Sequence, residues 1–544
     1  ALIAAAAPLA FAAKTEQKLI RSEAAGAKHV KEYLVRVHDP LPASFGKHPE
    51  ACDWLEYLRW RDAKGPRRSA RADAVISLIP GFLGGASSFD QLARNTVRAA
   101  AERGKHVEVW AIDRRSNCLE DDYGARAAMK VGDPTVGWDY YWNHATVDGH
   151  RFGGFVGPQD AAWLKGMGLD RTMRDWHAVN RAGLPSRKLR ARKLICGGHS
   201  LGGPLTAAYA GWDFDGDPAT KRDAGYRQCA AFVGLDTMLR VGTPGGGGLD
   251  PLRLLLSLGE LGGSPYISIP PLTPETFQVP VMFGVAAWLD PDGTEALNEL
   301  PSTLIVELAQ RFLFSRDAVN FATGLPSMRD FTVTNEVALA GVFDDNSAPL
   351  SFLRASVGML AGGPVVEKNF PFPDPTLALP GDTSTPLYEW REYREVRDAE
   401  VPLNSKGEPF TNRESEVSSL RELARTMFEA PANFIEQYFP VAILTDVGAA
   451  GGGDRSGTLA NLAHDGIPRR PALLIQAGDS ASNDGPDAGR PRRGEPPNDV
   501  RGSREVILPG YNHLDVLTAA RRQNDGRPEP SSTELARFAL AVTR

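Results

Sequence analysis

The stretch "KLICGGHSLGGPLTAAYA", residues 193–210, constrains this chain more than any other. A short apolar strand runs into a glycine-rich turn around one serine, and small helix formers follow at once. The frame Gly198-His199-Ser200-Leu201-Gly202 fits G-x-S-x-G. Alone, the pattern has two free positions and matches by chance in a glycine-rich chain. Between a strand and a helix it gains meaning, because that setting presents a serine on a sharp, strained turn. The glycines let the neighbouring backbones approach closely, and the hydroxyl stands clear of the sheet at a helix N-terminus.

The sequence around this turn alternates strand and helix signals. "HVKEYLVRV" (29–37) and "WLEYLRWR" (54–61) read as early strands. "AVISLIP" (74–80) is a short apolar run closed by Pro80-Gly81, as expected of a strand buried on both faces. A helical pattern from Ser88 stops at Gly104, and "VEVWAID" (107–113) is the next strand. "MRDWHAVNRAG" (173–183) reads as a helix and "CAAFVGL" (229–235) as a strand. Such alternation predicts a mostly parallel central sheet flanked by crossover helices, an α/β class. From about residue 240 to 425 the rhythm is lost in stretches rich in Gly, Pro and large apolar residues, read as a large inserted cap. It returns with a helix predicted over 422–439, the strand "PALLIQAG" (471–478), the strand "REVILPG" (504–510) and a closing helix "STELARFALAVT". The expected division is therefore a core over 14–239, the insertion over 240–425 and a second core part over 426–544.

A serine hydroxyl needs a base to become a useful nucleophile. His513, in "GYNHLDVL" just past the last predicted strand, sits where a loop leaves the same sheet edge as Ser200. His199, adjacent to the serine, is expected to point elsewhere. An acid must then orient the imidazole, and the chain order Ser…Asp…His places it between 200 and 513. Asp479, directly after "ALLIQAG", is the first choice; Asp484 in the same loop and Asp236 at the end of "AFVGL" are the alternatives. The oxyanion of acyl transfer requires two fixed N–H donors. One is assigned to Leu201, and the other to Phe82 in "IPGFLGG", with Leu83 as the fallback.

Taken together, "IPGFLGG", "VEVWAIDRRSNCLED", "GGHSLGG" and "GYNHLDVL" resemble the α/β-hydrolase superfamily, and within it the bacterial lipases and esterases. The resemblance covers about 14–239 and 426–544, and the insertion matches nothing. Pro80 stands where many relatives carry histidine, and Gly478-Asp479 replaces the usual Gly-x-x-Asp. What the resemblance implies is a serine hydrolase of carboxylic esters that needs no cofactor. Its substrate would be a small-molecule or lipid ester, with apolar groups admitted by an apolar cap. Acyl transfer to an alcohol and amide cleavage use the same nucleophile, and a binding module on the same fold is the non-enzymatic alternative.

Composition narrows the partners. Net charge is −6, from 61 basic and 67 acidic residues spread along 544 positions, so there is no case for nucleic acid or anionic membrane. The first residues, "ALIAAAAPLAFAA" (1–13), resemble the apolar part and cleavage site of a secretory signal, which predicts a periplasmic or secreted protein. That run is shorter than the roughly 20 residues a membrane span requires. Of the four cysteines, Cys196 and Cys229 are expected to be buried and inert, whereas Cys52 and Cys118 could pair in an oxidising compartment. No Cys or His spacing suits zinc. "DFDGDP" (213–218) has the look of part of a calcium loop but lacks the remaining ligands and the terminal glutamate, and reads better as a solvated turn.

Overall fold

Short runs of Val, Ile, Leu and Ala between turn residues become the middle of one nine-stranded sheet in the computed structural model, which describes residues 14–242, 263–371, 374–480 and 496–543. Its strands are β1 Thr15–Ile20, β2 Val30–His38, β3 Trp54–Asp62, β4 Ala74–Ile79, β5 Val107–Asp113, β6 Leu194–His199, β7 Ala231–Leu235, β8 Ala472–Ala477 and β9 Arg504–Leu508. The spatial order is β1-β2-β3-β5-β4-β6-β7-β8-β9. Strands β1, β2, β3 and β5 pair antiparallel, and every pair from β5 across to β9 is parallel. The sheet is thus mostly parallel and flanked by helices, as the alternating strand and helix signals predict. The first strand was not legible in the sequence: Thr15–Ile20 is an exposed edge with no apolar alternation, kept charged by Glu16 and Lys18.

Strands β4 through β8 are buried at every position because helices cover both faces. On one face the helices Leu169–Gly183 and Gly202–Gly211 bring Met173, Trp176 and Tyr209 into the core. On the other, Asp90–Ala101 and Pro530–Val542 contribute Leu92, Val97, Leu535 and Phe538. Each such fully buried large side chain stabilises the fold by about 1.5–3 kcal/mol. The polar end of Trp176 is also satisfied, its Nε1 donating to Ser77 Oγ at 2.8 Å.

Among the described residues no strand of this sheet falls between Leu235 and Ala472. The intervening chain carries the helices Pro274–Leu289, Leu304–Phe314, Asn335–Phe343 and Val441–Gly451, with two small antiparallel strand pairs. Pro274–Leu289 is apolar all round and correspondingly buried, against Asn335–Phe343 and Leu420–Thr426. The helix expected over 422–439 is real only over Leu420–Thr426. Beyond it Pro431 and Pro440 remove backbone donors, and the segment instead bonds to the loop after β4: Gly85 N to the Phe434 carbonyl at 2.9 Å and Glu436 N to the Leu83 carbonyl at 2.8 Å.

Both cysteine pairs are disulfides. Cys52 joins Cys118 as the sequence allowed, and Cys196, expected to be unpaired, joins Cys229. They lie 33 residues apart in sequence, but β6 and β7 are adjacent parallel strands, which brings their Cα atoms to 6.0 Å. Among the described residues no helix is long and apolar enough to cross a membrane. The signal-like residues 1–13 lie outside those described.

Candidate active site

The turn after β6 does what its glycines predict. Ser200 takes a φ of 55°, uncommon for a residue with a side chain and costing on the order of 1–3 kcal/mol. Its amide donates to the Leu235 carbonyl of β7 at 3.1 Å, and its carbonyl accepts from Gly203 N at 2.9 Å and Thr237 Oγ1 at 2.5 Å. The glycines are required by contact rather than by dihedral angle. A Cβ on Gly202 would lie 2.4 Å from the Ile79 carbonyl oxygen, and one on Gly81 would lie 2.7 Å from Ser200 Cβ. The loop after β4 is thus pressed against the serine.

His513 stands between β9 and the short helix Asp515–Thr518, buried to 6% exposure. Its partner is Asp236, with Nδ1 to Oδ2 at 2.5 Å, and not Asp479. The reason is the sheet order. β7 lies directly beside β6, so the residue just past its end reaches the serine edge. Asp236 turns there with a φ of 42°, its amide on the Ile475 carbonyl at 2.7 Å and its Oδ1 accepting from Ala477 N at 3.1 Å. Asp479 is exposed, and its amide bonds to the Tyr511 carbonyl at 3.0 Å. Asp484 lies outside the described residues. Burial alone would raise the Asp236 carboxyl; the hydrogen bond and charge of His513, with a further bond from Ser480, outweigh it and hold the group below the usual carboxylate range.

His199 is closer to the chemistry than expected. Its ring lies 4.4 Å from that of His513, and its Nε2 is 2.9 Å from the His513 carbonyl. As the neutral tautomer protonated at Nε2 it donates there, bracing the loop that carries the second histidine. Burial, with the charge of His513, pushes His199 down to about 3. A histidine depressed in the fold binds fewer protons than its unfolded form between about pH 6.5 and 3, so stability should fall on acidification through that window. His199→Gln, which keeps a donor but cannot titrate, should flatten the decline in urea midpoint between those pH values. An unchanged slope would assign the acid sensitivity to other groups.

The loop after β4 is set by a residue that the sequence reading passed over, Arg114, at the end of β5. Its guanidinium donates to the carbonyls of Pro80, Gly81 at 2.9 Å and Gly84 at 3.1 Å. Glu436, wholly buried, holds it at 2.5 Å. A trans peptide directs its C=O and N–H to opposite sides, so fixing the Gly81 carbonyl turns Phe82 N–H away from Arg114. Leu83 continues the turn with a φ of 56°. Leu201 follows the serine and leads into the helix Gly202–Gly211, whose N-terminus favours negative charge. An arginine directly after an apolar strand was the available signal, but nothing local distinguishes it from Arg115 beside it.

Ser200, His513, Gly81 and Phe82 line one narrow cavity of about 70 Å³. The rest of its lining is mostly apolar, with Phe352, Leu353, Phe434, Ile435, Leu514 and Leu517 beside the polar Ser88 and His199. Larger cavities of about 690 and 490 Å³ lie elsewhere and include neither Ser200 nor His513.

No protein-family model and no curated protein sequence matches the chain. Among solved structures it is similar to a lipase in an open form, at 12% identity and a TM-score of 0.30, over 97% of this chain and 100% of that one. It is also similar to a laboratory-evolved variant of potato epoxide hydrolase, at 12% identity and a TM-score of 0.31, over 93% and 95%. Juvenile hormone epoxide hydrolase from the silkworm Bombyx mori aligns at 12% identity and a TM-score of 0.28, over 94% and 76%.

Proposed function

We propose that this chain is a serine hydrolase that cleaves carboxylic esters with apolar groups through an acyl-enzyme. One observation carries the reading: a serine strained at 55° on a strand-to-helix turn shares a cavity with a histidine already hydrogen-bonded to a buried carboxylate. Asp236 on Nδ1 leaves His513 Nε2 to take the Ser200 proton as the hydroxyl attacks the ester carbonyl. The carbonyl oxygen becomes an oxyanion received by the amides of Leu201 and Phe82, the latter oriented through Arg114. His513 then protonates the leaving alcohol, and a water activated the same way releases the acid. Phe352 and Leu353, in the same cavity as Ser200, support the reading of residues 240–425 as a cap that selects the substrate. Two disulfides support an oxidising, exported setting.

Fluorophosphonate labelling combined with p-nitrophenyl ester turnover from acetate to palmitate tests this. Wild type should label, and kcat/KM should rise with chain length at first, since each methylene buried is worth ~0.8 kcal/mol, about fourfold. Good acetate turnover with none on longer esters would remove the apolar specificity. An aryl epoxide in the same assay separates ester cleavage from ring opening. Folded protein that neither labels nor turns over any ester would move the binding-module alternative ahead.

A further inference from the structure

Positive charge collects where the parallel strands begin. Arg67, Arg68 and Arg71, all exposed, precede β4. The short helix Arg187–Lys193 precedes β6 and exposes Arg187, Lys188 and Arg192. Arg227 precedes β7 and Arg469 precedes β8, and both are exposed as well. Because β4, β6, β7 and β8 are adjacent and parallel, their entry loops stand side by side along one edge of the sheet, about 5 Å from strand to strand. Hydrogen bonds join each loop to the next. Lys193 Nζ donates to the Ala72 carbonyl at 2.6 Å, Ala230 N to the Leu194 carbonyl at 2.6 Å and Phe232 N to the Pro471 carbonyl at 3.0 Å.

Among the described residues none of these basic side chains takes part in an ion pair. Asp73, between the first loop and β4, is taken by Lys105 at 3.6 Å and by the His106 amide at 2.8 Å. Arg469 bonds to the backbone carbonyl of Asp465 at 3.0 Å rather than to its carboxylate. The crowding reaches the residues beneath: burial, with the like charges of Arg181 and Arg187, lowers Arg190 from the usual arginine range, and burial with Arg227 does the same to Arg470. A net charge of −6 hides this edge, because its members come from distant parts of the chain and only the sheet order assembles them. Arginine forks pair with two oxygens of a phosphate at once. The serine cavity and the cavities of about 690 and 490 Å³ include none of these residues. The ring among them, Tyr226, is buried beneath Arg227 and Arg469 at 5.9 and 5.5 Å, so it offers no platform for a base or a sugar. A broad cationic edge without groove or exposed ring fits a planar array of phosphates better than a single polymer strand.

We propose that this edge docks the protein onto an anionic phospholipid bilayer. Ser200 follows the other end of β6, a strand of six residues, and so stays about 20 Å from the headgroups that the edge would meet. Docking here is therefore separate from the capture of an ester at the serine cavity. The attraction is electrostatic, acts within roughly 8 Å at physiological ionic strength and weakens as salt is added.

Flotation of the full-length protein with vesicles tests this, comparing mixed phosphatidylglycerol and phosphatidylcholine with phosphatidylcholine alone. Binding should require the anionic lipid and fall about tenfold or more between about 0.05 and about 0.5 M salt. Arg67→Gln, Arg71→Gln and Arg192→Gln combined should weaken it about a hundredfold, since each basic residue at an anionic surface is worth about fivefold. Lys14→Gln, Lys130→Gln and Arg397→Gln combined remove the same charge from exposed residues paired elsewhere with Glu16, Asp148 and Glu400, and should change binding less than about threefold. Both variants should melt with the wild type, because all six side chains are exposed. Wild type that ignores phosphatidylglycerol vesicles at low salt overturns the proposal whether or not the variants fold. Equal losses in the two variants overturn it too, since net charge rather than this edge would then govern binding. Capture by nucleic acid or dextran sulfate without binding to the vesicles also overturns it, assigning the edge to a linear polyanion. Neither flotation nor melting depends on esterase activity.

Discussion

Ser200→Ala should lower kcat for an activated ester about 10⁶-fold and eliminate fluorophosphonate labelling, with Tm nearly unchanged. The size follows from the way nucleophile and base act as one unit: without the hydroxyl, His513 and Asp236 have nothing to activate, and only the oxyanion donors and binding continue to help. The small change in stability follows from the local structure. The alanine inherits the φ of 55°, and the backbone bonds to Leu235, Gly203 and Thr237 do not involve the side-chain oxygen. Folded alanine variant that keeps more than about one per cent of wild-type turnover would assign the reaction to another nucleophile. A mixture contaminated by wild type is excluded by titrating the residual activity with the phosphonate.

The second large effect separates two aspartates. Asp236→Asn should lower kcat about 10⁴-fold, because the amide can hold His513 in the wrong tautomer and cannot stabilise the imidazolium. Asp479→Asn should change kcat less than twofold, since its side chain is exposed and only its backbone bonds to the histidine loop, at Tyr511. Thermal melts on both variants check that the fold survives, and pH–rate profiles add a readout that packing alone would not move. The assignment fails if the Asp479 variant is the crippled one.

How the two acids were exchanged shows where local reading stops. Both follow an apolar strand that ends in a turn, "AFVGLD" and "ALLIQAGD", and no local property of either stretch ranks them. Their distance from Ser200 depends on which strand lies next to β6, and that is a property of the sheet order. The same holds for Cys196 and Cys229, unremarkable apart in sequence and bonded only because their strands are neighbours. The segment over 427–440 failed for a different reason. Its apolar spacing suits a helix, but its hydrogen bonds are made with Leu83 and Gly85 in the loop beside the serine, a partner more than three hundred residues away.

Sequence by itself determined the elements whose code is local. The strand–turn–helix around Ser200 follows from short-range glycine and helix-former chemistry, the buried parallel strands from unbroken apolar runs, and the position of His513 from the end of the last strand. Tertiary structure alone decided which carboxylate meets that histidine, which arginine shapes the loop after β4, and that Cys196 pairs with Cys229. Each of these depends on side chains brought within a few ångströms from distant positions in the chain. Burial then sets their energetics: a charge or an orphaned oxygen that would cost little in water must find a partner inside the protein, and only the folded chain brings that partner within reach.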